Sequence, residues 1–485
     1  MGKDISRTEL IDELEQAIKS ETLAIFAGAG LSKPAGFFDW KGLLKEPAKQ
    51  IQLDIDKEHD LLNVAQYFGN SKGRSKIENV IVDSFSSHTS PTENHFLLAS
   101  LPINTYWTTN YDDLIEKSLD AVYKKSFAMT KDDQLKLQIR DLDAVIYKMH
   151  GDYRTPSEAV ITRNDYEEYG INKRMFFREV LEGDLLKKTF LFLGFGFSDP
   201  NFNFVLSKMR ILLKGNTRPH YCIMRRPVKP ERPPKPKDQN DEDYRRKEEA
   251  YKKEETDYNY EVIKQELFID DLFKSGIMVH LIDNYDEITQ ILKLLSKRYK
   301  QKTVFISGSA HEYNPLPKDE ATSFIRILSN LLVSRGYSIV NGYGLGVGTH
   351  VINGVAEYAY SNRNVGVGDR LTLMPFPQTA INNEILKETW SSYRSEMIKK
   401  CGISIFMFGN KDKDGETIMA DGMEEEFEIA KKNESVLIPL DFTGSMAKKL
   451  SLKEGVKNTG IEFSDAKTTA EEVFKFIEKI NQEEN

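Results

Sequence analysis

The 485-residue chain is poor in cysteine: Cys222 and Cys401 are the only two. Two thiols so far apart build neither a disulfide framework nor a four-cysteine zinc site, and no metal is expected. A reducing cytoplasm fits that composition. No run of eighteen or more apolar residues occurs, so no transmembrane helix is expected. The first residues, MGKDISRTEL, hold no apolar signal-peptide core. Gly2 follows Met1, but Lys3-Asp4 and the lack of a second membrane signal argue against a lipid anchor. No basic block stands out and the formal net charge is -8, which argues against a protein that coats nucleic acid. What is present is an ordinary globular balance, 40% hydrophobic and 29% charged, in a chain too long for one core.

The pattern along the chain predicts two α/β domains, 1–290 and 300–485. In the first, a helix over 9–19 precedes an apolar strand over 23–27. Further short apolar runs at 103–107, 144–149, 189–194, 221–224 and 277–281 alternate with helical stretches. That alternation reads as a parallel sheet covered on both faces. The segment 227–256 breaks the pattern. Its proline-rich first part cannot be a strand interior, and its charged second part reads as a solvated helix or a surface excursion. A partner-binding role is the alternative for it. A helix over 286–299 leads to the second domain. There the grammar repeats: strands at 304–307, 337–340, 403–408 and 436–439, a helix over 323–335 and a closing amphipathic helix over 469–480.

Four motifs of the first domain follow predicted strands. They are IFAGAGLS (25–32), TTNYDD (108–113), MHGD (149–152) and LGFGFSDPN (193–201). Ligands bind at the carboxyl ends of strands in open α/β sheets, so their co-location there is informative. Gly28, Ala29 and Gly30 would let backbone approach a pyrophosphate, and the helix after them would offer free N–H groups and a positive dipole end. A tight strand-to-helix turn would use the same residues. An asparagine such as Asn110 can hold water and hydroxyls without changing charge. His150 can take a proton near neutral pH; a structural histidine is the alternative.

The ordered set GAGLS, TNYD, HGD and GFGFSD resembles the sirtuin family over roughly residues 15–285. The resemblance implies a Rossmann-type NAD-binding domain. Gly28, Ala29, Gly30 and Ser32 would contact the dinucleotide, Asn110 would hold the nicotinamide-side ribose and water, and Asp112 would support that site. His150 would act as the base on the ribose hydroxyls. Gly194 belongs to the same NAD-binding set, and Ser198 would lie near the adenosine side. This chain has no zinc ribbon, and GFFDW (36–40) replaces the arginine-containing segment of deacetylating sirtuins. Both departures point away from protein deacylation and toward bacterial defence proteins that destroy NAD.

In the second domain, VFISGSA (304–310) and NGYGLGVG (341–348) are small-residue turns after strands, suited to close backbone approach. Together with MADGMEEEFEIA (419–430), where Gly422, Glu425 and Glu426 match, they resemble the SLOG family of Rossmann-like nucleotide-binding domains. Adjacent acids at a helix start are also common dipole partners. A sirtuin-like domain followed by SLOG resembles the NAD-consuming effectors of the bacterial Thoeris anti-phage system. That likeness implies NAD as substrate and a cyclic ADP-ribose isomer as activator. It also implies a TIR-domain partner that makes the signal, and a homo-oligomer, a tetramer or a higher assembly. Ser307, Gly308, Gly344, Gly346, Arg394, Lys411 and Glu426 are the expected signal contacts, the two cations meeting the pyrophosphate. An NAD-dependent deacylase and a non-catalytic nucleotide-sensing scaffold are the rival readings.

Overall fold

The computed structural model describes the chain apart from residues 1–3, 87–88, 138, 214–216, 235–241, 363–364, 377–382 and 484–485. The chain forms two compact units, Met1–Ser296 and Lys297–Asn485. Among the described residues no helix is long and apolar enough to cross a membrane.

Unit one is built on seven strands: β1 (Leu23–Ala27), β2 (Thr105–Thr108), β3 (Ser126–Met129), β4 (Ala144–Lys148), β5 (Thr189–Leu193), β6 (His220–Arg225) and β7 (Ile277–Ile282). They lie in the order β3-β4-β2-β1-β5-β6-β7, and every pairing is parallel. β1 and β5 are buried at every position, as continuous apolar runs in a sheet covered on both faces should be. The helix Arg7–Lys19 starts at a capping box formed by Ser6 and Glu9, which satisfies two otherwise orphaned N–H groups.

Register positions the motifs. Ala27 pairs with Thr108 on one side and Leu193 on the other, and Thr108 pairs with Lys148. These four strands therefore end in one row. The loops that follow them open at a single edge, flanking the central strand β1.

Unit two carries β8 (Thr303–Ser309), β9 (Ser338–Asn341), β10 (Leu371–Leu373), β11 (Ile403–Phe408), β12 (Asn410–Lys413), β13 (Glu416–Met419) and β14 (Val436–Pro439). Five of them form a second parallel sheet, β10-β9-β8-β11-β14, and β12-β13 is a separate antiparallel hairpin. Here β8 is the strand where the chain switches direction across the sheet. Ile306 pairs with Asn341 and Ser309 with Phe408, so the two glycine loops again share one edge.

Three elements escape the sequence pattern. β3 and β10 are short edge strands, only partly apolar, and the β12-β13 hairpin is charged. Its turn was nevertheless written in Asp414-Gly415, both with positive φ, the signature of a tight hairpin. The charged part of the 227–256 segment is the start of a 33-residue helix, Glu242–Lys274, while residues 235–241 lie outside the described part. Pairs at i,i+4 such as Asp243–Lys247 and Tyr251–Glu255 support its exposed portion, and Ile269 and Leu272 bury its far end.

Candidate active site and signal pocket

The first glycine loop behaves differently from the expectation. The helix after β1 is a single turn, Ala29–Ser32, continued by a 3-10 turn, so it has little dipole to offer. Gly28 donates its N–H to the Leu193 carbonyl at 2.9 Å, and Gly30 donates to the Gly194 carbonyl at 2.9 Å. These two amides are committed within the protein. The glycines are needed because two loops are seated against each other. A Cβ on Gly28 would lie 2.4 Å from the Gly194 oxygen, and one on Gly194 would lie 2.3 Å from the Leu31 nitrogen. Gly194 also has φ +64, which favours glycine. Phe26 and Phe195, with ring centroids 4.6 Å apart, hold the same two segments together from below.

Asn110 is buried in this junction. Its side-chain amide donates to the Gly28 carbonyl and to the Ser32 hydroxyl, both at 3.1 Å, and its backbone N–H donates to the Thr108 hydroxyl at 2.9 Å. Ala29, Ser32, Asn110 and Asp112 border one cavity with Phe38, Trp40, Phe85 and Tyr111. That cavity measures about 30 Å³, on the order of one water molecule. A bound dinucleotide needs several hundred Å³, so this cavity alone does not hold one, while Gly30, Gly194 and Ser198 lie outside it and are exposed. The GFFDW segment contributes to its walls: Phe37 is buried in the core, while Phe38 and Trp40 border the cavity.

His150 is buried and does not border this cavity. It packs against two residues that do, with ring centroids 6.5 Å from Trp40 and 6.4 Å from Tyr111. Its Nε2 lies 2.9 Å from Asp199 Oδ2 and 3.2 Å from the Tyr166 hydroxyl. Burial pushes the Asp199 carboxyl up. The facing imidazole, the Phe202 N–H and the Tyr166 hydroxyl outweigh that and hold it below its ordinary value. Asp199 and Tyr166 were missed as partners of His150, although Asp199 is the last residue of GFGFSD. Ser198, the neighbour that was singled out, is exposed.

Beneath the loops sits Lys148, wholly inaccessible to solvent. Its ammonium donates to the carbonyls of Asp112 and Tyr111, and to carboxylate oxygens of Asp152 at 2.6 Å and Glu116 at 3.2 Å. One cation thus ties the loop carrying Asn110 to the loop carrying His150. Burial raises the Asp112 carboxyl despite the nearby Lys148.

In unit two, Ser307, Gly308, Gly344 and Glu426 border a cavity of about 460 Å³ with Asn341, Tyr343, Phe376 and Met423. That volume suits a small nucleotide. A Cβ on Gly344 would meet the Gly308 carbonyl at 1.9 Å, so these loops also touch backbone to backbone. The Ser307 hydroxyl donates to Glu426 at 2.6 Å, and burial raises the Glu426 carboxyl. Gly346, Arg394 and Lys411 do not border the cavity. Arg394 bonds Glu425 at 2.6 Å, lies 3.6 Å from Glu426 and rests over the Phe376 ring at 5.0 Å. Lys411 is paired with Asp421. Both expected cations are therefore committed to carboxylates, and Asn341, Tyr343 and Phe376 are lining residues the sequence did not single out.

Two domain families match this arrangement. Residues 104–263 match the family model described as SIR2-like domain, and residues 287–485 match the Sir2- and TIR-associating SLOG family. The class is thus a SIR2-like domain joined to a SLOG domain. The chain is 42% identical over 477 residues to the NAD(+) hydrolase ThsA of Enterococcus faecium, covering 98% of this chain and 95% of that one. It is 43% identical to the NAD(+) hydrolase ThsA of Bacillus cereus, covering 91% and 88%. A shorter likeness, 26% over 231 residues, reaches the Defense-associated sirtuin 2 of Bacillus subtilis, covering 45% of this chain and 22% of that one. The chain belongs to the ThsA family.

Proposed function

We propose that the protein is an anti-phage defence effector that hydrolyses NAD to ADP-ribose and nicotinamide when a nucleotide signal binds its SLOG domain. The observation that carries this reading is near full-length identity above 40% to two NAD(+) hydrolases named ThsA, in a chain that brings Asn110 and His150 to one sheet edge. The bond broken joins nicotinamide to ribose. Its electron pair leaves with nicotinamide, water adds to the ribose carbon, and one proton is released. Asn110 orients the water and the ribose hydroxyls, His150 accepts the proton, and the apolar walls limit competing attack. Gly28, Ala29, Gly30, Ser32, Asp112, Gly194 and Ser198 form the NAD-binding surface, Ser198 on its solvent side.

The signal is a cyclic ADP-ribose isomer, held by the cavity between Ser307, Gly308, Gly344 and Glu426. Gly346, Arg394 and Lys411 join it on binding, when the two cations exchange a carboxylate partner for phosphate oxygens. A TIR-domain protein makes the signal; the matched SLOG family is itself described as TIR-associating. The active form is a homo-oligomer, a tetramer or a higher assembly, in the bacterial cytoplasm. The small size of the cavity around Asn110 supports regulation: the signal would favour a state in which that cavity is larger.

The test is nicotinamide release by the full-length protein, with and without a panel of cyclic ADP-ribose isomers. Signal-dependent release is expected, lost in folded Asn110→Ala and His150→Ala. Full turnover in either variant removes that residue from the mechanism. Intact NAD under every condition, with folding confirmed, would favour a sensing scaffold.

A further inference from the structure

Two groups face Nε2 of His150, and both are acceptors toward it. The Tyr166 hydroxyl donates its hydrogen to Asp199 Oδ2 at 2.9 Å, so it offers His150 only a lone pair. Burial and the nearby Asp199 raise the Tyr166 hydroxyl well above its ordinary value, so it keeps its proton. The other group is Asp199 Oδ2 itself, with Oδ1 fixed by the Phe202 N–H at 2.8 Å. A ring nitrogen facing two acceptors must be the donor. In the neutral imidazole the bare lone pair is then on Nδ1, which is buried and has no hydrogen-bond partner among the described residues. A buried acceptor left without a partner is costly, and a substrate-borne hydrogen would satisfy it.

We infer that Asp199 is a positioning residue for the hydrolysis: with Tyr166 it fixes His150 as the Nε2–H tautomer, so that Nδ1 is the nitrogen that accepts the proton. This rests on the NAD-hydrolase reading above. As water bonds to the ribose carbon and the bond to nicotinamide breaks, the water's proton passes to Nδ1. The resulting imidazolium is paired with the Asp199 carboxylate until the proton is released to solvent. Nothing leaves the balance beyond ADP-ribose, nicotinamide and that proton.

The competing role for Asp199 is that of a cap for the helix Pro200–Leu213, through Oδ1. Asp199→Asn separates the two. Asparagine caps as well as aspartate, but its amide would present hydrogens to Nε2 and force the opposite tautomer. The first measurement is independent of turnover: nitrogen-15 imidazole NMR of the full-length wild type at pH 8, with His150 identified among the eight histidines by its loss in folded His150→Gln. A protonated Nε2 and a bare Nδ1 are expected. A protonated Nδ1 overturns the inference, whether or not NAD is cleaved. The second is kinetic. Folded Asp199→Asn should lose about 10²-fold or more in kcat, the scale of a misdirected general base, with little change in KM. Asp199→Glu should recover part of it. Wild-type kcat in folded Asp199→Asn refutes the positioning role. Absence of NAD cleavage in the wild type would instead sink the functional reading and leave the tautomer to the NMR result.

Discussion

Replacing Lys148 by methionine tests whether one buried cation supports the first site. The wild-type ammonium is fully enclosed and contacts two backbone carbonyls and two carboxylates. Methionine fills similar space but leaves the carboxylates without it. Breaking a buried pair costs about 3–5 kcal/mol. Arg154 also holds Asp152, at 2.7 Å, so the low end of that range applies. For a unit of this size each kcal/mol moves the melting midpoint by about 2–4 °C, giving a fall of roughly 6–12 °C. Calorimetry of the full-length variant at pH 8, reading the transition of the first unit, measures it. The deficit also has a sign in pH. Asp112 already has a raised carboxyl pKa, and loss of Lys148 raises it further. The folded variant then binds more protons than the unfolded chain, so the deficit should shrink as pH falls from 8 toward 5.5. A fall below about 2 °C at pH 8, or a deficit that grows on acidification, would refute the reasoning. NAD turnover should drop as well, because the loops of Asn110 and His150 lose their common tie.

Gly194→Ala should destabilise the first unit by roughly 2–5 kcal/mol, combining a left-handed backbone with overpacking against Leu31; a loss under about 1 kcal/mol by denaturant titration contradicts the loop contact. Glu426→Gln should become relatively more stable than the wild type as pH rises from 4 to 8. The buried carboxyl is raised, so the wild type loses stability over that interval and the amide does not; parallel melting curves across pH would remove burial as the cause. Arg394→Ala should weaken binding of the activating isomer at least about tenfold in calorimetry, on the scale of a lost charge-assisted bond. Undiminished affinity would show that its pairing with Glu425 does not exchange.

Much of this was legible because buried parallel strands are written as nearly continuous apolar runs. LAIFA at β1, TFLFL at β5 and ISIFMF at β11, with Thr189 and Ser404 the polar exceptions, stand out as such. SFAM at β3 and LTL at β10 are too short to show a period, and they pair only because a neighbour offers an edge. The site was partly legible for a related reason. Glycines, Asn110 and His150 stand immediately after strands, and sequence spacing places them at one edge. What spacing does not carry is which side chains meet across that edge. Asp199 and Tyr166 reach His150 from residues 33 apart in sequence from one another. Lys148 stands within the run 144–149 without being singled out, while the fold encloses it completely. Arg394 and Lys411 were recognisable as cations, but their carboxylate partners were not.

The first unit ends at Ser296, and the chain must still add residues through Asn485. At about 5–20 residues per second, that leaves roughly 10–40 s in which a finished catalytic half exists beside an unfinished sensor. Control exercised only by the sensor would leave each newborn chain unguarded through that interval. The small cavity under Phe38 and Trp40 lies wholly within the half that is made first. A nascent chain in this conformation therefore carries a cavity too small for a dinucleotide before any sensor exists.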